Sequence, residues 1–215
     1  MKDLPKLTLG VDVDGTLAAT HPRWLELARE RYGIDASLED LREYEFWRLI
    51  GPGKEETLEL FRAAWDDYER IGLERGAVSA VMHRLHEVYK IYIITASVGR
   101  PRDVKSWLKM NDIPYDRFYH TPNRDDKLNI ATDMHLEDCG EVAELFASNG
   151  RNVVLLSQPW NRGLHRRLKR YDTAYIAKSW GEIESHAMKN AFAGRGGDRR
   201  ALSNDSRRHA RRAHP

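Results

Sequence analysis

Residues 7–13, Leu7-Thr-Leu-Gly-Val-Asp-Val13, run straight into Asp14-Gly15-Thr16-Leu17. A short valine- and leucine-rich stretch closed by Asp-Gly reads as a buried strand entering a tight turn. Side chains two apart in an extended segment project the same way, so Asp12 and Asp14 are expected to reach one spot. Gly15 permits the turn and the Thr16 hydroxyl can support it. From His21 to about Glu87 the pattern becomes helical. Pro22-Arg-Trp-Leu-Glu-Leu-Ala-Arg-Glu-Arg-Tyr32 repeats apolar residues at three and four, with Gly33 just beyond. Ser37-Leu-Glu-Asp40 carries a capping-box pattern that predicts another helix start. After the Gly51-Pro-Gly53 break, Glu55 to Arg70 is amphipathic, with Leu58, Phe61, Trp65 and Tyr68 at helical spacing.

Strand character returns at Tyr89–Thr95, Phe118–Thr121, Met134–Asp138, Asn152–Ser157 and Thr173–Lys178, with helices predicted over 101–111 and 141–149. Strands alternating with helices imply an α/β fold with a mostly parallel sheet and right-handed crossovers. The helical block of about 65 residues between the first two strands is too long for a simple crossover, so it predicts a separate helical cap. The expected organisation is a core of residues 1–20 and 88–190, a cap of residues 21–87, and a tail of residues 191–215.

The chain has 215 residues, 41% apolar and 32% charged, enough for one core with an insertion. No apolar run approaches the roughly 18 residues of a membrane span, so no membrane association is expected. The N-terminus has no apolar stretch followed by a cleavage site, so a secretory signal is not expected. The lone Cys139 excludes a disulfide framework and any multi-cysteine zinc site, and reads as a buried thiol in a reducing cytoplasm. The net charge of +2 hides an asymmetry: residues 195–215 hold seven arginines against Asp198 and Asp205, leaving the rest of the chain mildly acidic. With Leu202 as its one large aliphatic, this tail is expected to be disordered and able to touch nucleic acid electrostatically, or simply to aid solubility.

In open α/β sheets, ligands bind at the carboxyl ends of the strands. Asp12 and Asp14 follow the first predicted strand, Thr95 the second and Asp138 the fourth, with Lys127 in the segment leading to it. Carboxylates can ligate a hard cation, while a lysine and a hydroxyl can hold phosphate oxygens. Together these groups make a coherent phosphate-and-magnesium site.

The Asp12-Val-Asp14-Gly15-Thr16 pattern resembles the haloacid dehalogenase-like superfamily, specifically its aspartate-nucleophile phosphatases. The resemblance implies a Rossmann-like core with a cap inserted after the first motif, and Mg2+ as cofactor. It implies Asp12 as nucleophile and metal ligand, and Asp14 as general acid/base with its backbone carbonyl on the metal. Thr95-Ala96 resembles the phosphate-binding second motif, and Glu137-Asp138 the acidic fourth motif. Asp138 is then a metal ligand and Glu137 an outer or water-linked partner, with direct metal binding by Glu137 the alternative. Lys127 is the expected phosphate-binding lysine; Lys105, in the predicted helix after Pro101, is its competitor.

Within the superfamily the chain is most similar to the 5'(3')-deoxyribonucleotidases, over roughly residues 6–180. The matching runs are Gly10-Val-Asp-Val-Asp-Gly-Thr-Leu17, Ile94-Thr-Ala-Ser97, the Asp-Lys…Glu-Asp spacing, and Leu155-Leu-Ser-Gln-Pro-Trp-Asn161. It departs where that family more often has two aspartates followed by Ser-Pro, here Glu137-Asp138-Cys139-Gly140. The implied activity is hydrolysis of nucleoside 5'-monophosphates in the cytoplasm; a homodimer is compatible with this reading. A nucleic-acid end phosphatase using the tail, and a non-catalytic module of the same fold, are the competing readings.

The cap is rich in aromatic residues, which could provide a stacking surface for a base. Phe61, Trp65 and Tyr68 read as the cap's own core, while Phe46 and Trp47 before the Gly-Pro-Gly break are expected to face the site. Arg100 is a further candidate for substrate contact. His21, Arg23, Arg48 and Lys54 read by default as surface charge.

Overall fold

The computed structural model describes residues 6–76 and 78–196. Its six strands are β1 (Leu7–Val11), β2 (Tyr89–Thr95), β3 (Arg117–His120), β4 (Met134–Glu137), β5 (Val153–Leu156) and β6 (Ala174–Ala177). They form one sheet in the order β3-β2-β1-β4-β5-β6, with every neighbouring pair parallel. The chain winds outward from β1 to β3, returns to β4 on the other side of β1, and winds outward again. The strand order therefore reverses between β1 and β4, where a crevice opens beyond their carboxyl ends.

Seven helices accompany the sheet: α1 (Thr20–Tyr32), α2 (Lys54–Asp66), α3 (Val78–Val88), α4 (Pro101–Met110), α5 (Gly140–Ser148), α6 (His165–Leu168) and α7 (Trp180–Gly196). Strands β4 and β5 are buried along their whole length, which explains the continuous apolar sequence of β5, whereas β4 buries His135 and Glu137 beside its apolar residues. The alternate residues of β5 serve two cores: Val153 and Leu155 pack with α5, while Val154 and Leu156 join the larger cluster on the opposite face. Helix α1 stops at Gly33, whose left-handed φ of 68° lets its N–H donate to the Arg29 carbonyl at 3.0 Å and the Ile34 N–H to the Ala28 carbonyl at 3.4 Å.

The helical excursion between β1 and β2 is pinned at its base. Ala18 bridges Leu73, Ala19 N–H donates to the Gly72 carbonyl at 2.9 Å, and Glu74 N–H to the Leu17 carbonyl at 2.8 Å. Three buried tryptophans lock distant segments by donating to main-chain carbonyls: Trp24 to Thr57, Trp107 to Ile71 and Trp180 to Thr16. Cys139 is buried.

Four details depart from expectation. Ser37 does form its capping box, with Asp40 Oδ2 accepting from the Ser37 N–H and hydroxyl at 2.9 and 2.7 Å, yet the result is a single 3-10 turn. The chain leaves helical geometry at Leu41, which buries its side chain completely. The amphipathic run to Arg70 breaks at Asp67, and residues 68–70 form a separate 3-10 turn. Helix α3, expected within the cap, packs on β2 and α7 and so covers the sheet. Helix α7 runs through the expected start of the tail at 191, because Ala187 and Ala191 are buried in the main core. The arginine-rich stretch from residue 197 onward lies outside the described residues. No described helix is long and apolar enough to cross a membrane.

Candidate active site

Asp12 continues β1 by one residue: its N–H donates to the Leu136 carbonyl of β4 at 3.0 Å. The next residues turn sharply, with Gly15 at a φ of 71° and a Cβ there placed 2.2 Å from Asp138 Oδ2. Glycine is required on both counts, by the backbone and by the approach of the carboxylate from β4. The same approach brings the two ends of the site together.

Asp12, Glu137 and Asp138 are all buried and offer carboxylate oxygens within 4.8 Å of one another. Lys127, 3% exposed, extends its Nζ to Asp12 Oδ1 at 2.8 Å and to Glu137 Oε2 at 2.9 Å. Lys105 instead stands over the Phe118 ring, so Lys127 is the lysine that the fold delivers to the carboxylates. Glu137 is held from every side: His135 Nε2 lies 3.2 Å from Oε2, and Cys139 N–H donates to Oε1 at 3.2 Å. Thr95 is fully buried at the end of β2, its hydroxyl accepting the Ser97 N–H at 3.0 Å.

Two indoles complete the frame. Trp65 of α2 donates to Asp14 Oδ1 at 2.9 Å, and Trp160, after β5, donates to Asp138 Oδ2 at 2.8 Å. Asn161 Nδ2 adds bonds to the Asp138 and Leu156 carbonyls at 2.7 and 2.8 Å, fixing the strand ends against each other. Helical spacing assigns Trp65 to the cap's own core, and nothing in the sequence assigns Trp160 a role at the site. Trp65 fell at helical spacing in an apolar face, and its one distinguishing signal was the need of a buried indole N–H for an acceptor.

Burial pushes the Asp12 and Asp138 carboxyls well up, and the neighbouring carboxylates push the same way, against the pull of Lys127. Burial also raises Asp14, opposed by hydrogen bonds from Ser97 and Trp65. Burial would raise Glu137 as well, but Lys127 and His135 overcome it and hold Glu137 ionised. Lys127 stays charged because Asp12 and Glu137 outweigh its desolvation. Four carboxyl groups thus surround one ammonium. This shortage of positive charge and the all-oxygen donors suit a hard divalent cation. Asp12 and Asp138 can hold it, and the Asp14 carbonyl joins them in the superfamily pattern.

A cavity of about 610 Å3 opens onto this cluster, lined by Asp14, Asp138, Ala96 and Ser97 from the sheet side and by Tyr44, Phe46, Trp47 and Phe61 from the inserted segment. Phe46 and Trp47 thus face the site as expected, and Phe61 does too, although its spacing assigned it to the cap core. Arg100 does not line the cavity: it is tied to Asp103 and Asp66 at 2.6 and 2.8 Å, so the fold does not bring it to the other candidates. Arg23, read as surface charge, is buried between Glu26 and Asp67. His21, also read as surface, is 5% exposed and lines the cavity, stacked on Trp160 with ring centres 3.8 Å apart. Burial holds its imidazole neutral, lowering its pKa to about 3.

The sequence matches the family model described as "5' nucleotidase, deoxy (Pyrimidine), cytosolic type C protein" over residues 6–190. The chain belongs to that family. It is a phosphomonoester hydrolase of the haloacid dehalogenase-like superfamily. The fold agrees with a haloacid dehalogenase-like hydrolase from Streptococcus pneumoniae, at 16% identity and a TM-score of 0.60 over 84% of this chain and 98% of the other. It also agrees with a Thermotoga maritima protein provisionally assigned as a β-phosphoglucomutase, at 17% identity and a TM-score of 0.55 over 86% and 99%. A provisionally assigned hydrolase of the same superfamily from Bacillus subtilis, solved with magnesium, matches at 13% identity and a TM-score of 0.54 over 86% and 99%. No protein of curated function matches the sequence significantly.

Proposed function

We propose that this 5'-nucleotidase family member is a Mg2+-dependent hydrolase of nucleoside 5'-monophosphates that works through an aspartyl-phosphate on Asp12. The observation that carries the reading is the meeting of Asp12, Lys127 and Asp138 in one buried cluster, from which Asp138, beside Asp14, reaches an aromatic-walled cavity.

Lys127 engages Asp12 Oδ1, which leaves Oδ2 free to form the bond to phosphorus. Lys127, the Thr95 hydroxyl and the main chain at Ala96 gather the phosphoryl oxygens, so that charge building up during transfer meets fixed donors. As the phosphorus–ester oxygen bond breaks, Asp14 supplies a proton to the departing nucleoside oxygen. Trp65 occupies Asp14 Oδ1, so the proton travels on Oδ2. Asp14 then takes a proton from water as that water attacks the phosphorus of the acyl phosphate, releasing phosphate and restoring the Asp12 carboxylate. Bound Mg2+, held by Asp12, Asp138 and the Asp14 carbonyl, would supply the missing positive charge and neutralise phosphoryl oxygens. Glu137 orients Lys127 rather than binding the cation, since both its oxygens are already engaged. The inserted segment, with Phe46, Trp47 and Phe61, roofs the cavity as a cap and receives the nucleoside.

The purified protein assayed with Mg2+ against a panel of nucleoside monophosphates and sugar phosphates tests this. The expected result is preference for a nucleoside 5'-monophosphate, with Asp12→Asn lowering turnover by about a thousandfold or more while circular dichroism is unchanged. A flat panel, or turnover retained in Asp12→Asn, overturns the assignment.

A further inference from the structure

His21, in the wall of the cavity, is a polar side chain with no hydrogen-bond partner among the described residues. It is 5% exposed, its Nδ1 is enclosed with no hydrogen bond, and no group among the described residues bonds its Nε2. Its ring is held rigidly, stacked on Trp160 and approached edge-on by Phe61 and Phe46 at centroid distances of 5.4 and 6.0 Å. An N–H placed on Nδ1 would be a buried donor facing nothing, which costs the full desolvation of the group, so the proton belongs on Nε2. Nε2 is not enclosed as Nδ1 is, and the ring borders the cavity. The result is a neutral N–H donor in an aromatic wall. Such a donor suits an uncharged oxygen or nitrogen acceptor and has little to offer a phosphoryl dianion, for which Lys127 already provides charge.

We propose that His21 is a specificity-determining residue that donates from Nε2 to a neutral acceptor on the leaving group, a base carbonyl or a sugar oxygen. The inference rests on the nucleotide reading above. Its chemistry differs from stacking: the flat walls of Phe46, Trp47 and Phe61 accept any planar group, whereas a directed N–H rewards an acceptor at one position.

The test measures KM for thymidine 5'-monophosphate and ribose 5-phosphate, and the inhibition constant of inorganic phosphate, in wild type, His21→Phe and His21→Gln. Phenylalanine keeps the ring against Trp160 and removes both nitrogens, while glutamine restores an N–H near the place of Nε2. His21→Phe is expected to raise the nucleotide KM about five- to tenfold, the size of one neutral hydrogen bond, and His21→Gln to recover most of it. The inhibition constant of phosphate should stay within about twofold. A rise confined to the nucleotide puts the acceptor on the base; an equal rise for ribose 5-phosphate puts it on the sugar. Unchanged KM values, a parallel rise in the phosphate constant, or no recovery in His21→Gln overturns the role of His21 while leaving the nucleotide reading intact. A wild type that hydrolyses p-nitrophenyl phosphate but neither biological ester overturns both.

Discussion

Asp14, the proposed acid–base group, and Trp65 show how one hydrogen bond can set the range over which a carboxyl titrates. Burial raises the Asp14 carboxyl, which favours the protonated form that the proposed mechanism needs for its leaving group, and hydrogen bonds from Ser97 and the Trp65 N–H restrain that rise by stabilising the carboxylate. Removing the indole donor therefore pushes Asp14 further up. In Trp65→Phe, the alkaline limb of the kcat–pH profile is expected to move to higher pH by about 0.5–1 unit, because the acid loses its proton later. A limb that stays in place, or moves to lower pH, argues that Asp14 is not the group titrating there. Trp65 sits on α2 and Asp14 just after β1, so this bond also ties the inserted segment to the chemistry.

The segment Pro159–Leu164 following β5 acts as a clamp on the end of β4. Trp160 holds Asp138 Oδ2 and Asn161 holds the Asp138 carbonyl, so the carboxylate presents its Oδ1 in one orientation. Groups that orient a ligand usually matter for metal affinity about as much as a weakened ligand does. Calorimetric titration of substrate-free protein is expected to show Mg2+ binding about tenfold weaker in Trp160→Phe. Equal affinity in the variant and the wild type removes Trp160 from the cation site and leaves it a packing residue.

At the scale of the whole molecule, the junction where the inserted segment rejoins the sheet carries an electrostatic penalty. Glu74, whose N–H closes that junction on Leu17, has its carboxyl raised from 4.5 to about 7 by burial, against hydrogen bonds from Gln158 and the Arg75 N–H. The folded protein thus holds a proton on Glu74 between about pH 4.5 and 7 that the unfolded chain has released. Its favourable contribution is complete below 4.5 and is lost as the pH rises through 7. Glu74→Gln, which cannot ionise, is expected to exceed wild-type stability by on the order of 1 kcal/mol at pH 8 and to match it near pH 4.5. Urea unfolding at the two pH values measures this, and a difference of the same size at both would mean that ionisation is not the cause.

Much of this was legible along the chain. The apolar run ending in Asp12-Val-Asp14-Gly15, the alternation of strands with helices, and the long helical interval before Tyr89 fixed the fold class, because periodicity and turn chemistry act over a few residues. Asp12, Asp14, Thr95, Lys127 and Asp138 could be named because ligand groups gather at strand ends. What no local pattern could reveal was which side chain meets which. Trp65 reads as core until α2 is folded against the turn at Asp14, His21 reads as surface until Trp160 arrives beneath it from 139 residues away, and Arg100 reads as a substrate contact until Asp66 claims it. Helix α7 crosses the expected boundary between core and tail for a similar reason: its alanines are weakly apolar in sequence and become core only when α3 and the sheet pack around them. Short-range sterics and hydrophobic spacing therefore determined the scaffold and the acidic floor. Pairing across the fold, where burial makes every unmatched donor and charge expensive, decided the orientation of those acids and the character of the cavity above them.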